Sequence, residues 1–219
     1  MATTFPLSVG DFIERFPISS ITMSVGESLV TSRTRSGEVL RADLGIRPWQ
    51  GKVELGRMLP EEYRAVQPLL MVAASAAASF MVYDTQFSGP LNDPSGAILG
   101  SATPAIGAVD IGARSIRIKD LPAGYQLVRG DRIAFTYGTN PVRYSLHSVV
   151  NQIPTADGAG LTPFIELTPP PPIGPQVDDP VSLIKPSCKA VIVPGTMTPA
   201  TKDRWLAQGA SFEFIQTLR

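Results

Sequence analysis

The residue best suited to acid–base chemistry in this sequence is its only histidine, His147. It lies in VRYSLHSVV, residues 142–150, whose alternation predicts a β-strand. On this strand His147 shares a face with Arg143 and Ser145, which we expect to be the more solvated face. A catalytic triad also needs a nucleophile and an orienting acid, and no Gly-x-Ser-x-Gly motif is present. These observations favour a structural or interfacial histidine over a catalytic one.

Acidic residues and the single cysteine offer little for metal chemistry. Asp131 opens a strand after a glycine, where an aspartate usually caps backbone N–H groups of the turn. The acids near 157–160 and at 178–179 lack the alternating spacing of a calcium-binding EF-hand loop. Cys188 and one histidine cannot supply a tetrahedral zinc site without several carboxylates. We expect no metal and no intrachain disulfide.

Glycine- and proline-rich segments do not predict a nucleotide site. The run GAILGSATPAIG, residues 96–107, matches neither a Gly-Lys-Ser/Thr phosphate loop nor a Gly-x-Gly-x-x-Gly turn. Four prolines at 169–172 could form a polyproline ligand, but a stiff loop that closes a β module is the favoured interpretation. We name no catalytic, metal-ligating or cofactor-binding residue, and we expect no cofactor and no enzyme.

Composition supports a folded, proline-punctuated β protein. Of 219 residues, 43% are hydrophobic and 17% charged, unlike a disordered chain. Basic and acidic residues balance at 19 each, whereas nucleic-acid binders usually carry a basic excess. The 21 prolines and 19 glycines favour short strands joined by turns. The low charge favours a surface partly covered by subunit contacts.

Neither a signal peptide nor a membrane helix is expected. Residues 1–16 contain no basic region followed by a long apolar core. The longest apolar stretch, 68–83, is too short and too rich in alanine and serine to span a bilayer. We therefore expect synthesis in the cytoplasm and no membrane partner.

The sequence of the first third of the chain predicts β-strands, then a helix, then one further β-strand. Residues 19–57 alternate between apolar and polar, with a hairpin tip at 35–37 and a third strand at 49–56. Residues 59–77 have helical spacing after a first-turn proline, and Pro68 is expected to kink or split that helix. Residues 79–84 return to a buried strand.

The remaining sequence predicts a second β unit, followed by strands that complete the first unit. Residues 85–113 resemble a linker with turns, or an insertion boundary. Four strands are then expected, at 114–121, 125–138, 142–153 and 161–170, as in a small barrel or sandwich. An apolar strand within 186–196, a loop or short helical turn, and a final strand follow. The predicted fold class is mainly β: a split domain with one helix, interrupted by an inserted small β-barrel or sandwich module.

These patterns resemble a known group of proteins. The Gly-Asp that opens a strand at 130–131, the ADGAG turn at 156–160 and the strand that runs into prolines resemble a module found in tail proteins of long-tailed bacteriophages and phage-like gene transfer particles. Trp-x-Gly-x-Val-x-Leu at 49–55, a following helix and a terminal aromatic strand resemble the ring domain of distal tail proteins. The two regions cover most of the chain, and the motifs are turn patterns rather than catalytic signatures.

The resemblance implies a structural virion protein of the tail tip. Distal tail proteins form a hexameric ring that joins the tail tube to the baseplate hub and leaves a central channel for DNA. The implied partners are further copies of the chain, a tube protein and a hub protein, with DNA only as transient cargo. Residues 1–90 with 186–219 would form the ring and 96–185 would project outward. The candidate subunit-interface residues are Arg33, Arg35, Trp49, Phe212 and Phe214.

Three alternatives remain open at this level. Another tail tube or hub component would be recognised by growth into long tubes. A carbohydrate-binding module at 96–185 would present Tyr125, Tyr137 and Tyr144 together on one exposed face. A cell-wall hydrolase would need paired carboxylates in a cleft, and the sequence nominates none.

Overall fold

The computed structural model describes residues 4–43, 45, 47–151 and 153–218. Over these described residues the chain is mainly β with a single α-helix, which confirms the predicted fold class. A 3₁₀ turn (Ile13–Arg15) precedes the strands, and α1 (Pro60–Ala73) lies between β4 and β5. In chain order, the strands are β1 (Ile18–Val25), β2 (Leu29–Arg33), β3 (Val39–Asp43), β4 (Trp49–Leu55), β5 (Phe80–Val82), β6 (Ala105–Asp110), β7 (Ser115–Lys119), β8 (Arg132–Tyr137), β9 (Arg143–Val149), β10 (Ile165–Thr168), β11 (Val181–Ser182), β12 (Cys188–Ile192), β13 (Thr201–Asp203), β14 (Leu206–Gln208) and β15 (Ser211–Gln216).

One antiparallel sheet combines the two ends of the chain, in the order β1-β4-β15-β12-β5. Its β5 edge is covered by Leu7, whose backbone N–H donates to the carbonyl of Ser79 and whose carbonyl accepts from Met81. At the opposite edge, β1 pairs with β4 through most of its length. Among the described residues no strand covers the other side of β1. The sheet therefore has one covered edge and one open edge.

The core beneath this sheet is aromatic. Phe12, Phe80 and Phe212 contact one another, with ring centroids 4.6 to 6.1 Å apart. Helix α1 adds a buried stripe of Val66, Leu70 and Ala73 at helical spacing. Pro60 occupies its first turn, and the Glu62 carboxylate accepts a hydrogen bond from the Leu59 backbone N–H. The helix continues through Pro68, so the predicted split is wrong; the Pro68 side chain is exposed and displaces no core residue.

A second sheet, in the order β11-β8-β9-β10-β7-β6, has a core of its own. That core is built by residues between Ile106 and Leu183. The first core draws on residues 7–83 and 188–214, together with Ala134 and Leu146. One unit, which we call the body (residues 4–90 and 186–218), is thus interrupted by another, which we call the module (residues 96–185).

Two segments differ from expectation. The predicted linker at 85–113 contains β6, an edge strand that pairs with β7 through a bulge. The predicted loop or helical turn after 198 contains the hairpin β13–β14, with the exposed Trp205 at its tip. Strands β13 and β14 are short, and short strands show too few apolar–polar alternations to be predicted from sequence.

Candidate functional site

A buried cation joins the module to the body. Arg132 begins β8, and its guanidinium carbon lies 4.5 Å from the ring centroids of both Trp49 and Phe87. Its Nη2 donates to Oδ2 of Asp84 at 2.9 Å, and both side chains are buried. Burial lowers the pKa of Arg132, and the carboxylate of Asp84 opposes that shift. A paired arginine held between two aromatic faces fixes the relative position of the two units.

Strand β9 completes this joint from the module side. Trp49 Nε1 donates to the carbonyl of Leu146 at 2.6 Å, and Gln216 Nε2 donates to the carbonyl of Tyr144 at 3.2 Å. The side chains of Leu146 and Ala134 are buried in the core of the body. The module is therefore attached through packing and hydrogen bonds, and not only through the two chain crossings.

Three of the five predicted interface residues are core residues. Trp49 is 4% exposed, and Phe212 and Phe214 are each 1% exposed. They belong to β4 and β15, interior strands of the five-stranded sheet, and all three lie in the core of the body, where Trp49 also contacts Arg132 of the module. Their side chains cannot contact a partner subunit, so this part of the prediction is wrong.

The other two, Arg33 and Arg35, lie on an arm. Strands β2 and β3 form a hairpin whose described side chains from Leu29 to Ala42 are almost all exposed. Its turn is closed by the Gly37 N–H donating to the Thr34 carbonyl, with Gly37 at φ +86°. The predicted hairpin tip is confirmed. Among the described residues, no other strand pairs with this arm.

The two faces of the arm differ in chemistry. Because Ser32 lies opposite Leu40 and Val30 opposite Ala42, these four side chains share one face without charge. The other face carries Arg33 and Arg41 among its members. Val30 and Leu40 are 48% and 52% exposed. Exposed apolar side chains that lie together on one uncharged face of a hairpin favour a contact surface.

His147 lies on a buried face of β9, so the prediction that this face is solvated is wrong. Its ring stacks on Phe135 with centroids 5.0 Å apart, and it is 2% exposed. One ring nitrogen, Nδ1, lies 2.6 Å from the carbonyl oxygen of Pro169, and Nε2 lies 2.7 Å from Ser145 Oγ. A carbonyl oxygen can accept a hydrogen bond but cannot donate one, so the neutral ring is assigned its proton on Nδ1, and the serine hydroxyl then donates to Nε2.

This serine–histidine pair has the contacts of a buried polar pair rather than of a hydrolase. The group that orients the ring is a neutral carbonyl, which supplies no negative charge to stabilise an imidazolium. Burial lowers the pKa of His147 to about 4, so the ring is a weak base at neutral pH. The ring and the hydroxyl satisfy each other, as buried polar groups usually do.

Other candidate residues have structural contacts. Asp131 accepts hydrogen bonds from the backbone N–H groups of Leu91 and Val128, which confirms its capping role. Asp157 accepts from the N–H groups of its own turn. Cys188 is buried, which raises the pKa of its thiol to about 12. Within the described ranges, no group of three or more metal-ligating side chains occurs.

The surface expected for a carbohydrate platform does not form. Tyr125 and Tyr137 are 3% and 4% exposed, because both belong to the core of the module. The aromatic cluster predicted for that alternative is therefore not on the surface. No helix in the described part of the chain is long and apolar enough to cross a membrane.

Comparisons with known proteins identify no family. No family model matches the chain, and no curated protein matches it.

Proposed function

We propose that this chain is a structural subunit of a bacteriophage tail tip, the distal tail ring that joins the tail tube to the baseplate hub around a central channel for DNA. The observation that carries the proposal is the arm β2–β3, which presents an uncharged face, whereas its other face mixes Arg33 and Arg41 with the exposed Leu29 and Val39. The resemblance of the body and the module to the parts of distal tail proteins points to the same role.

The arm supports self-association because of its exposure. A two-stranded hairpin is marginal in water unless its apolar face packs on something. Here Val30 and Leu40 leave about half of their surface in solvent. Covering them with a neighbouring copy would bury apolar area and hold the hairpin in place.

The open edge of the sheet is a second surface that a neighbouring copy could cover. Strand β1 is eight residues long and ends at Val25, and the arm begins at Leu29. The open edge and the arm are thus neighbours in the chain, while the far edge of the sheet is covered by Leu7. A contact that joins different surfaces of two copies is heterologous, and it closes into a ring when the rotation between copies allows it.

The test is the mass and shape of the full-length protein. Light scattering should give six times the chain mass of 23.4 kDa, and negative-stain images should show a ring with an open centre. The variant Leu40→Glu places a charge on the uncharged face and should return the protein to a monomer. Val39→Glu is the matched control, because Val39 is similarly exposed but lies on the charged face beside Arg33.

The outcomes separate the alternatives. Long tubes would assign the chain to the tail tube instead of the tip. A protein that stays monomeric at every attainable concentration, or a ring that Leu40→Glu and Val39→Glu disturb equally, would contradict the proposed use of the arm.

A further inference from the structure

Trp205 and Ile173 are the two most exposed large hydrophobic side chains among the described residues. Trp205 is 83% exposed at the tip of the hairpin β13–β14. Ile173 is 81% exposed and lies among the residues that line a cavity of about 570 Å³, where the module meets the body. Tryptophan is enriched in binding hot spots, so the exposed Trp205 indicates a contact with another molecule.

The lining of the cavity favours an uncharged occupant. Its hydrocarbon comes from the proline run at 169–172 and from Leu146, Ile173 and Leu218. Arg143 is hydrogen-bonded to Tyr137, and Arg47 also has a partner within the chain. Ser145 and His147 are bonded to each other. Because these polar groups are engaged, the surface that remains for an occupant is mainly apolar.

An indole ring fits this cavity in size and in chemistry. The volume falls within the range of about 300–1,000 Å³ that is typical of sites for drug-sized ligands, and an indole is smaller than such a ligand. An indole is apolar apart from one N–H group, which needs an acceptor when it is buried. The proline run has backbone carbonyl groups but no backbone N–H groups, so it can accept this hydrogen bond while its rings contact the indole.

The cavity and Trp205 lie at opposite ends of the body sheet. Gly45 of the cavity lining precedes β4, whereas the hairpin β13–β14 is bridged through Ala207 to Met58, which follows β4. Strand β4 has seven residues, and at about 3.4 Å per residue the two ends are about 20 Å apart. Trp205 therefore cannot reach the cavity of its own chain, but it can reach the cavity of another copy.

We propose that Trp205 of one copy inserts into this cavity of the next copy and joins the two copies head to tail. A side chain that fits a pocket elsewhere on the same molecule makes a heterologous contact, which closes into a ring or continues as a filament. Because it names the surfaces through which the ring subunits meet, this contact rests on the proposed tail-ring function.

The area available is sufficient for a stable contact. Buried aromatic side chains cover about 150–250 Å² each, so insertion of Trp205 removes on the order of 200 Å² from solvent. The arm ends at Asp43, two residues before Gly45 of the cavity lining, so the arm and the cavity lie at the same end of the body. The exposed side chains of the arm bring this contact towards the area of about 800 Å² per partner of a standard interface.

The test measures self-association of the full-length protein by light scattering over a range of concentrations. Trp205→Ala should weaken self-association by at least about 30-fold, the fold-change that corresponds to a binding hot spot. Ile173→Glu should weaken it as well, since it places a charge beside the apolar cavity. The matched controls are Leu91→Ala and Val177→Glu, because these side chains are 72% and 53% exposed but lie outside the cavity lining and the hairpin. Both controls should associate as the unsubstituted protein does.

A mixture of the two variants tests the head-to-tail geometry. The Trp205→Ala variant keeps the cavity, and the Ile173→Glu variant keeps the tryptophan, so a mixed pair can form one complete contact and a pair of like variants can form none. At concentrations where each variant alone is a monomer, the equimolar mixture should give a dimer of twice the chain mass of 23.4 kDa.

Two results would overturn this contact. These are assembly of the Trp205→Ala variant equal to that of the Leu91→Ala control, and a mixture of the Trp205→Ala and Ile173→Glu variants that gives no dimer. Rings formed by the Trp205→Ala variant would count only against this contact and leave the tail-ring function standing. Filaments or long tubes that Trp205→Ala abolishes would leave this contact standing and count only against the ring at the tail tip.

Discussion

At the scale of single residues, the contact between Arg132 and Asp84 should be the most costly to break. Both side chains are buried, and removal of one partner leaves the other charge uncompensated. We expect Asp84→Asn to lower the free energy of unfolding by about 3–5 kcal/mol, measured by urea denaturation.

Lys52→Gln provides the control for that variant. Lys52 also pairs with a carboxylate, Glu54, at 2.8 Å, but both side chains are nearly half exposed. Exposed pairs contribute little to stability, so the midpoint of unfolding should hardly move. A loss after Asp84→Asn no larger than after Lys52→Gln would show that the buried pair does not hold the two units together.

His147 should make stability fall in mild acid. Its pKa is lowered from 6.5 to about 4 by burial, so the unfolded state binds its proton first as pH falls. The contribution is fully present above pH 6.5 and is lost as pH falls towards 4. The total loss is about 3 kcal/mol, measured as the free energy of unfolding between pH 7 and pH 4.

The single histidine makes this effect separable. In the variant His147→Gln, overall stability should be lower, but the pH dependence between 6.5 and 4 should largely disappear. The imidazole resonances of the unsubstituted protein should not titrate near pH 6.5, and a titration there would contradict the buried neutral ring.

At the scale of elements, the packing of β4 between its neighbours β1 and β15 depends on Gly51. A Cβ at this position would overlap the carbonyl oxygen of Thr22 and lie 2.7 Å from Cζ of Phe214. We expect Gly51→Ala to lower the free energy of unfolding by about 1–3 kcal/mol, because overpacking a core forces its neighbours apart. Chemical denaturation measures this loss.

Gly158→Ala is the matched substitution in open space. No atom lies within 4 Å of its Cβ position, and its φ is not in the left-handed region. A surface change of this kind should alter stability by less than about 0.5 kcal/mol. Equal effects of the two alanines would mean that β4 and β15 do not require the close approach.

Elements with several alternations could be predicted from sequence. Strands β4, β8 and β9 and helix α1 lie within their predicted ranges, and β1 begins one residue before its range, because long segments repeat a period of two or 3.6. The hairpin β13–β14 was missed because its turn contains Arg204 at φ +52° rather than the expected glycine. Its strands are also too short to show the apolar–polar alternation that would have indicated them.

The candidate sites were harder to predict for a different reason. Alternation separates the two faces of a strand but does not tell which faces meet another unit. The face of β9 that carries His147 is covered by the module itself, where the ring stacks on Phe135, and the other face, with Leu146, is covered by the body. The position of the arm was predicted correctly because its turn is specified locally, by the glycine at its tip.

At the scale of the whole molecule, the two units should unfold together. The joint contains the buried Arg132, and Leu146 of the module packs in the body. We expect one transition in differential scanning calorimetry, with calorimetric and van't Hoff enthalpies that agree. Leu146→Ala should lower stability by about 2–5 kcal/mol across that single transition.

Ile116→Ala tests the same point from inside the module. Ile116 is fully buried in the module's own core. It belongs to β7, which lies in the sheet of the module and not in the sheet of the body. If the units are coupled, this variant lowers the same single transition. Two separated transitions, of which Ile116→Ala moves only one, would show that the joint is too weak to couple them.

The unequal edges of the body sheet also limit how copies can be brought together. Two open β1 edges can pair antiparallel with each other, and such a two-fold pair uses up both edges and admits no third copy. If both edges of the sheet were open, each copy in such a pair would keep one free edge, but here Leu7 covers the second edge. Crowding many free copies at once would thus favour dead-end pairs, so slow release of subunits onto an existing template should give more complete assemblies than rapid concentration.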